Sequence, residues 1–215
     1  MNSQREKENL AEIKLAYNFK KIVLATKNKN KQIEIENLLK KTGINAVEVQ
    51  GEFNPEETGK TFLENACIKA YSAAKIMNLP ALGDDSGLEI DALGGLPGVY
   101  SARYAENDQK RIEKVLNELK DIKPENRTAR FVCAMVIASP NGEILYSCVE
   151  KCEGYIIDTP KGENGFGYDP IFYIPELKAT MAELSLEDKN KISHRAKALK
   201  VLKRIMVSSP EGLET

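Results

Sequence analysis

The fold is decided by residues 21–39, KIVLATKNKNKQIEIENLL, where a short apolar run is followed by a polar loop and an amphipathic segment. The run Lys21–Ala25 is compact and apolar, which predicts a buried β-strand. Apolar residues in the segment 33–39 recur at helical spacing, and Gly43 stands where such a helix would end. A buried strand that leads into a helix is the building unit of an α/β protein.

The alternation of strand and helix continues to residue 90. Ala46–Val49 predicts a second strand. Thr61–Glu64 has the capping-box pattern, in which the threonine caps a helix and the glutamate reaches back, so a helix is expected from there to Met77. Ala81–Gly83 and Leu88–Ile90 are short apolar pieces, and the polar residues between them predict a turn.

The apolar period changes from helix to strand in the second half of the chain. Residues 112–119 carry another amphipathic helix. Thr128–Ala138 and Glu143–Val149 flank Ser139–Gly142, SPNG, which is typical of a β-hairpin, and Gly154–Ile157 predicts a further strand. Combined with the strand–helix alternation before it, the hairpin indicates an α/β fold with a mixed β-sheet.

The two ends of the chain complete the predicted organisation. Ser185–Asp188 resembles a helix start, and apolar residues at helical spacing carry one last helix to about Val207. Residues 1–18 have no place in the strand–helix pattern and are interpreted as an N-terminal extension, either a short helix or a disordered tail. The main domain is therefore predicted to span residues 19–209, which suits one large domain.

Composition restricts the classes of function. The chain of 215 residues is 42% hydrophobic, and its 31 basic and 32 acidic residues give a net charge of −1. This balance argues against a dedicated nucleic-acid-binding protein, which usually has a basic excess. No apolar run reaches the roughly 20 residues of a membrane span, and the N-terminal residues lack the apolar centre of a signal peptide.

The cysteines indicate a reducing compartment. The chain has four, at Cys67, Cys133, Cys148 and Cys152, and one histidine. Their spacing does not match a zinc site, so buried free thiols are the simpler interpretation. We expect a cytoplasmic protein without a membrane or nucleic-acid partner.

The first of four polar clusters that packing does not explain is the run Thr26, Lys27, Asn28, Lys29, Asn30 and Lys31. It lies where the first helix should begin, and unpaired N–H groups and a partial positive charge at such a position favour an anion. Lysines there are unfavourable for the helix unless an anion lies among them. A phosphate-binding loop and a solvated lysine run are equally compatible with this pattern, which lacks the glycines of a Walker loop.

The second cluster is acidic. Gly83–Gly87, GDDSG, contains the adjacent Asp84 and Asp85, and Glu56 and Glu57 lie in the preceding loop. Mg²⁺ takes carboxylate oxygens together with waters and substrate phosphates, so one interpretation is a metal site at a strand end. The other is a surface turn that holds both carboxylates in water. In a shared site, we expect the charge of Asp84 to raise the pKa of Asp85.

The third cluster is Gly165–Pro170, GFGYDP. Its glycines let a backbone approach a ligand closely, and Phe166 and Tyr168 offer flat faces on which a base can stack. The alternative is a tight turn before an apolar strand.

The fourth cluster extends from Lys189 to Ser193, His194 and Arg195, at the start of the last helix. His194 and Arg195 either donate hydrogen bonds to a ligand or serve the structure alone. Together the four clusters supply cations for phosphate, carboxylates for a metal, aromatic faces for a base and donors for its edge. These are the components of a metal–nucleotide site.

In order and spacing the clusters resemble the inosine triphosphate pyrophosphatase family, the Ham1-like enzymes that act on non-canonical purine nucleotides. The resemblance covers residues 21–206. It is carried by Thr26–Lys31, Glu57–Gly59, Thr61–Asn65, Asp84–Leu88, Gly94–Arg103, Phe166–Pro170 and Ser193–Arg195.

The resemblance implies a long mixed sheet flanked by helices, with two lobes around a central active-site cleft, in a homodimer. It also implies Mg²⁺-dependent hydrolysis of ITP, dITP and XTP to the monophosphate and pyrophosphate, which cleanses the nucleotide pool. Two alternatives stay open. The chain could be a pyrophosphatase for pyrimidine or other modified nucleotides, or a sensor that binds a nucleotide without hydrolysing it.

The resemblance also implies roles for individual residues. Asp85 is expected to accept the proton and, with Glu57, to bind Mg²⁺. The expected substrate-binding residues are Thr26, Lys27, Asn28, Lys29, Asn30, Lys31, Lys69, Ser86, Phe166, Gly167, Tyr168, Asp169, Lys189, His194 and Arg195. Family members commonly have glycine where Lys27 stands, so this side chain is expected either to crowd the phosphate loop or to add charge to it.

Overall fold

The structure of the protein, a computed structural model, describes residues 20–40 and 42–207, with side chains up to residue 202. The predicted extension, residues 1–18, and the end of the predicted domain, residues 208–209, lie outside the described residues. The strands are β1 (Lys21–Leu24), β2 (Asn45–Glu48), β3 (Ala81–Ile90), β4 (Thr128–Ala138), β5 (Ile144–Ile156), β6 (Phe172–Ile174) and β7 (Ala179–Thr180). The α-helices are α1 (Lys29–Leu39), α2 (Phe62–Met77), α3 (Asp108–Glu118), α4 (Leu186–Ile192) and α5 (His194–Val207).

Short 3₁₀ helices occupy several of the connections: Asp91–Leu93, Gly98–Arg103, Pro124–Asn126, Asp169–Ile171, Pro175–Leu177 and Met181–Glu183. None of the helices in the described part of the chain is long and apolar enough to cross a membrane.

Seven strands in the described residues form one sheet with the order β2-β1-β3-β4-β5-β6-β7. β1 is parallel to both of its neighbours, β2 and β3, whereas the other pairs are antiparallel. The hairpin between β4 and β5 turns at residues 139–142, where Gly142 N donates to Ser139 O at 3.0 Å. The predicted α/β fold with a mixed sheet is therefore confirmed.

Helices cover both faces of the sheet. Because side chains alternate along a strand, neighbouring residues of β3 and β4 enter different cores. On one face, Leu82 and Met135 pack in an apolar cluster with residues of α1 and α5. On the other face, Ala81 and Ala134 pack against the buried alanines of α2.

The start of α2 has the predicted capping box. Glu64 N donates to Thr61 Oγ1 at 3.2 Å, and Thr61 N donates to Glu64 Oε2 at 3.1 Å. This helix lies very close to the sheet, since a Cβ added to Gly83 would be 2.2 Å from the carbonyl oxygen of Ala66. Glycine at position 83 therefore sets the depth at which α2 packs.

The predicted turn between Gly83 and Gly87 is wrong, because β3 continues without interruption from Ala81 to Ile90. The prediction assumed that two adjacent aspartates need solvent. In the structure Asp84 and Asp85 are only 1% and 6% exposed, and cations from distant parts of the chain compensate both charges. The two carboxylates lie in the middle of a central strand instead of at its end.

Two further expectations need correction. Gly154–Ile157 does not add a separate strand, because β5 extends as far as Ile156 and stays paired with β4. The last helix is interrupted at Ser193, whose ψ of 154° is extended. Ala196 N donates to the Ser193 hydroxyl at 3.2 Å, so the serine ends one helix and caps the next.

Candidate active site

A cavity of about 460 Å³ lies beside the central strand β3. β1 pairs with β3 only at Val23 and Leu24. Among the described residues, the stretch 83–87 of β3 therefore has a paired strand, β4, on one side only. Ala25, Asp85 and Gly87 line the cavity on the other side. Its volume lies within the range of sites for small organic ligands.

The loop between β1 and α1 forms one wall of the cavity. Asn28 caps α1, and its Oδ1 accepts a hydrogen bond from Lys31 N at 3.2 Å. Thr26 Oγ1 accepts from Asn28 N at 3.1 Å, which fixes the loop just before the helix. Thr26, Lys27, Asn28, Asn30 and Lys31 line the cavity. A helix N-terminus with nearby lysines suits an anionic ligand.

The three lysines of this loop have different surroundings. Lys31 Nζ lies 2.5 Å from Asp84 Oδ1 at the wall of the cavity. Lys29 does not line the cavity, because its side chain is 70% exposed and its Nζ lies 2.7 Å from Glu48 Oε1. Lys27 is exposed at the cavity, and no described residue forms an ion pair with it. The structure thus separates Lys29 from the other predicted substrate-binding residues.

Asp84 forms ion pairs with Arg195 and Lys31. Its Oδ2 accepts from Arg195 Nε at 2.9 Å, and its Oδ1 accepts from Lys31 Nζ at 2.5 Å. Burial alone would raise the pKa of this carboxyl, but the charges of Arg195 and Lys31 outweigh burial and hold the pKa well below its usual value. Asp84 therefore stays ionised and does not act as a base.

Asp85 has a different environment on the opposite face. Its Oδ1 accepts from Lys69 Nζ at 2.6 Å, whereas its Oδ2 is buried without a hydrogen-bond partner among the described residues. Burial raises the pKa of Asp85 against the opposing charge of Lys69, and the charge of Glu57 adds to the increase. The sequence-based prediction assigned this increase to Asp84, whereas the acidic neighbour among its largest causes is Glu57. Asp84 faces away and is neutralised by its own cations.

The chemistry of Asp85 and Glu57 fits a magnesium ion. Lys69 Nζ lies 2.6 Å from Asp85 Oδ1 and 3.2 Å from Glu57 Oε1, so both carboxylates converge on one positive charge. Oδ2 of Asp85 is buried and accepts no hydrogen bond from a described residue, so its lone pairs would suit a metal ion. The described residues contain no group of three or more histidine, cysteine or acidic side chains suited to a metal. Two carboxylates are nevertheless enough for Mg²⁺ when substrate phosphates and waters complete its shell.

An aromatic loop forms another part of the cavity wall. The ring of Phe166 lies over two cations, with its centroid 5.0 Å from Lys189 Nζ and 5.9 Å from Arg195 Cζ. Tyr168 also lines the cavity but is buried, and its hydroxyl donates to Ser101 O at 3.0 Å. Phe166 therefore has the accessible aromatic face on this loop, while Tyr168 holds the loop in the core.

Asp169 connects this loop to the last helices. Its Oδ2 accepts from Phe166 N at 2.9 Å and from Lys189 Nζ at 2.5 Å. Burial raises the pKa of Asp169, and the charge of Lys189 opposes that increase. The contact ties the position of Phe166 to α4, which carries Lys189.

Glu34 of α1 forms ion pairs with both Lys189 and Arg195. Its Oε1 lies 2.8 Å from Lys189 Nζ, and its Oε2 accepts from Arg195 Nη1 at 2.5 Å. Burial would raise the pKa of Glu34, but the charges of Arg195 and Lys189 outweigh burial and lower it. Arg195 Nη2 also donates to Ser86 Oγ at 2.8 Å. The guanidinium is thus oriented by β3 and α1 together.

His194 is neutral and packed. Its ring stacks on Phe131 with centroids 4.9 Å apart and an angle of 16° between the rings, and Nδ1 is buried without a partner among the described residues. Burial, helped by the charges of Arg195 and Lys189, holds the pKa of His194 well below its usual value. The ring therefore packs an apolar face on Phe131, and the residue lines the cavity.

The structure brings the predicted site residues other than Lys29 into this one cavity. Sequence reasoning missed Glu34, Asp108 and Arg111. Glu34 follows Lys31 by three residues and interrupts the apolar face of α1, so its helical position could have indicated it. Asp108 and Arg111 belong to a surface helix with no motif of their own, and only the fold brings them to the cavity.

Solved structures of two Ham1 proteins have the same fold as this protein. The fold matches a HAM1 protein from Coxiella burnetii with a TM-score of 0.78 and 44% identity, covering 88% of this chain and 99% of that one. It also matches the Staphylococcus aureus Ham1 protein with a TM-score of 0.77 and 42% identity, covering 86% of this chain and 97% of that one. The protein therefore has the α/β architecture of these proteins.

The sequence then gives the family. The model of the Ham1 family matches residues 22–205, and the chain belongs to that family. The dITP/XTP pyrophosphatase of Halalkalibacterium halodurans is 52% identical over 189 residues, which cover 85% of this chain and 97% of the relative. The dITP/XTP pyrophosphatase of Bacillus subtilis is 50% identical over 193 residues, 87% of this chain and 97% of the relative.

Proposed function

We propose that the protein hydrolyses dITP, ITP and XTP to the nucleoside monophosphate and pyrophosphate and so removes deaminated purines from the nucleotide pool. The observation that carries the proposal is that Asp85 and Lys31 line the same cavity. A base and a phosphate-binding cation can then act on one nucleotide. About half of the aligned positions are identical in relatives named dITP/XTP pyrophosphatases, which supports this substrate class.

We assign the two halves of the substrate to two different groups of lining residues. The triphosphate would bind to the loop of residues 26–31, with Lys69 as a further cation. The base would pack on Phe166 near Lys189 and Arg195. This orientation is inferred from charge. No described residue forms an ion pair with Lys27, which lies beside a helix N-terminus, whereas Lys189 and Arg195 are largely neutralised by Glu34 and its neighbours.

We assign Asp85 as the general base. Its carboxylate would take a proton from a water molecule as the water oxygen bonds to the α-phosphorus and the bond to the bridging oxygen of pyrophosphate breaks. A carboxylate that lines the cavity beside the reacting water is the group that such a proton transfer requires. Lys31 and Lys69 would stabilise the negative charge on the leaving pyrophosphate.

Asp85 and Glu57 would hold Mg²⁺, which when bound spreads the negative charge that develops on the phosphate oxygens. Lys69 Nζ lies between these two carboxylates and counters their charge. Because Lys69 also lines the cavity, it would be near enough to contribute a cation to a bound phosphate.

Discrimination against adenine follows from hydrogen-bond donors. Inosine and xanthine have an acceptor at position 6, whereas adenine has a donor. Lys189 has three N–H donors, and two of them are directed at Glu34 and Asp169. The remaining donor would be left unpaired against adenine, at a cost of about 1–3 kcal/mol.

We also propose that the active form is a cytoplasmic homodimer, as the family resemblance implies. Its partner at the site is a small nucleoside triphosphate. The net charge of −1 supports the absence of a nucleic-acid partner.

Product analysis with ITP and Mg²⁺ tests the proposal. Inosine monophosphate and pyrophosphate are expected, with no turnover when Mg²⁺ is removed by a chelator. The diphosphate and orthophosphate would mean that a different bond is cut. Tight binding without any product would identify a sensor, and faster turnover of dTTP or UTP than of ITP and XTP would identify a different pyrophosphatase.

A further inference from the structure

The loop that carries Phe166 is held at two adjacent backbone amides. Phe166 N donates to Asp169 Oδ2 at 2.9 Å, and Gly167 N donates to Asp108 Oδ2 at 2.8 Å. Gly165 and Gly167 flank the ring in the left-handed region, with φ of 74° and 64°. Glycines in this conformation have many alternatives, so external hydrogen bonds decide the position of the loop.

The two carboxylates belong to different parts of the fold. Asp169 lies at the end of the loop itself and is only 3% exposed. Asp108 is the first residue of α3, and 59 residues separate it from Gly167. The bond from Gly167 is therefore the contact by which a surface helix holds the loop from outside.

Asp108 is itself oriented. Its Oδ1 accepts from Arg111 Nη1 at 2.5 Å, and Arg111 Nε donates to Ala105 O at 3.2 Å. The ion pair leaves Oδ2 directed at Gly167. Both Asp108 and Arg111 line the same cavity as Phe166.

Stabilisation of α3 does not account for this geometry. An aspartate in the first turn favours a helix through the macrodipole. However, the N-cap of α3 is Asn107, whose side chain accepts from Lys110 N at 2.9 Å. Oδ1 of Asp108 accepts from Arg111 and Oδ2 accepts from Gly167, so one of the two oxygens makes its contact outside the helix.

We propose that Asp108 is a positioning residue for the nucleoside half of the substrate. By accepting the bond from Gly167 N, it fixes the loop so that the ring of Phe166 stands over Lys189 and Arg195, where the base packs. The proposal rests on the assignment of this cavity to a purine nucleotide. It predicts that Asp108 affects affinity for the nucleoside and leaves affinity for the polyphosphate unchanged, because among the described residues the bond from Gly167 to Asp108 involves no residue of the lysine loop.

The test compares Asp108→Ala with Glu113→Ala, which removes an exposed carboxylate on the same helix that pairs with Lys110. Calorimetry gives the dissociation constants of two probes. One is an ITP analogue with a methylene group between the α- and β-phosphorus atoms, and the other is inorganic tripolyphosphate. Asp108→Ala is expected to weaken the analogue about three- to tenfold, the effect of one lost hydrogen bond, with tripolyphosphate unchanged. Glu113→Ala should change neither.

Kinetics and unfolding separate positioning from stability. A partly unfolded variant loses active sites and therefore kcat, with KM unchanged, whereas a displaced loop raises KM for ITP. Equal binding of the analogue by Asp108→Ala and wild type would overturn the proposal, as would an equal loss for both probes. If the wild type bound the analogue but did not turn over ITP, the proposed function would fail, and the ratio of the two dissociation constants would still decide the role of Asp108.

Discussion

Asp84 and Asp85 are consecutive residues of β3, yet their carboxylates lie on opposite faces of the sheet and are neutralised by different helices. Asp84 contacts Lys31 of α1 and Arg195 of α5, whereas Asp85 contacts Lys69 of α2. These ion pairs explain how two adjacent acidic residues can occupy the centre of a buried strand. It also gives them different roles, since the pKa of Asp84 is lowered and that of Asp85 is raised.

The assignment of Asp85 as the base predicts a selective loss of turnover. Asp85→Asn keeps the shape of the side chain and is expected to reduce kcat by at least about 10²-fold, the contribution of a positioned base. Calorimetry should show that the variant still binds the methylene analogue of ITP. Asp91→Asn changes an exposed carboxylate just beyond the same strand and serves as the control. Undiminished kcat in Asp85→Asn would exclude Asp85 as the base.

Lys69 is predicted to compete with Mg²⁺ for the two carboxylates. Lys69→Met leaves Asp85 and Glu57 without their shared counter-charge, so the free energy of unfolding should fall by about 3 kcal/mol in the presence of a chelator. Adding Mg²⁺ without nucleotide should raise the Tm of this variant more than that of the wild type. Lys75→Met, on the exposed side of the same helix, is the control. A Tm that responds equally to Mg²⁺ in all three proteins would argue against a metal site at this pair.

Lys27 and Lys29 can be compared to test the phosphate loop, because both lie in it but only Lys27 lines the cavity. Lys27 is exposed at the cavity, whereas Lys29 points at Glu48. Lys27→Met is therefore expected to raise KM for ITP about threefold to tenfold, the loss of roughly 1 kcal/mol, and to reduce its dependence on salt. Lys29→Met should behave like the wild type. A lower KM in Lys27→Met would mean that this side chain crowds the loop instead of adding useful charge.

His194 is predicted to make stability depend on pH below neutrality. Its pKa in the folded protein lies well below the usual 6.5, so the folded protein keeps the ring neutral while the unfolded chain takes up a proton. The free energy of unfolding should therefore decrease as the pH falls below 6.5, by up to about 1.4 kcal/mol per pH unit from this residue. His194 is the one histidine of the chain, so no second imidazole contributes.

Urea unfolding of the wild type and of His194→Phe between pH 7 and pH 5 measures this effect. Phenylalanine keeps a ring against Phe131 but cannot titrate. The unfolding free energy of the wild type minus that of His194→Phe should decrease as the pH falls. A difference that stays constant over this range would show that His194 is protonated equally in both states.

Local patterns were sufficient for much of the fold. The apolar run of β1 and the capping box at Thr61 are encoded within a few residues, and both are confirmed. The helical period also contains information that the prediction did not use. Lys29 and Lys31 are two positions apart in α1 and so face different sides of the helix, which is why only one of them reaches the cavity.

The centre of the site could not be predicted in this way. The partners of Arg195 are Asp84, 111 residues away, and Glu34, 161 residues away. No local period relates such positions, so two buried aspartates were taken for a turn. The bond between Asp108 and Gly167 is hidden for the same reason.

Because the partners of Arg195 lie so far from it in the sequence, the site that hydrolysis requires is complete only after the whole domain has folded. Arg195 joins residues that are 111 and 161 positions away in the sequence, and until α5 docks, Asp84 and Glu34 lack a principal counter-charge. A conformer with the sheet assembled but the last helix detached would have an unfinished pocket and two exposed acids in place of a nucleotide site. Catalytic turnover is therefore a stringent reporter of the fully native chain.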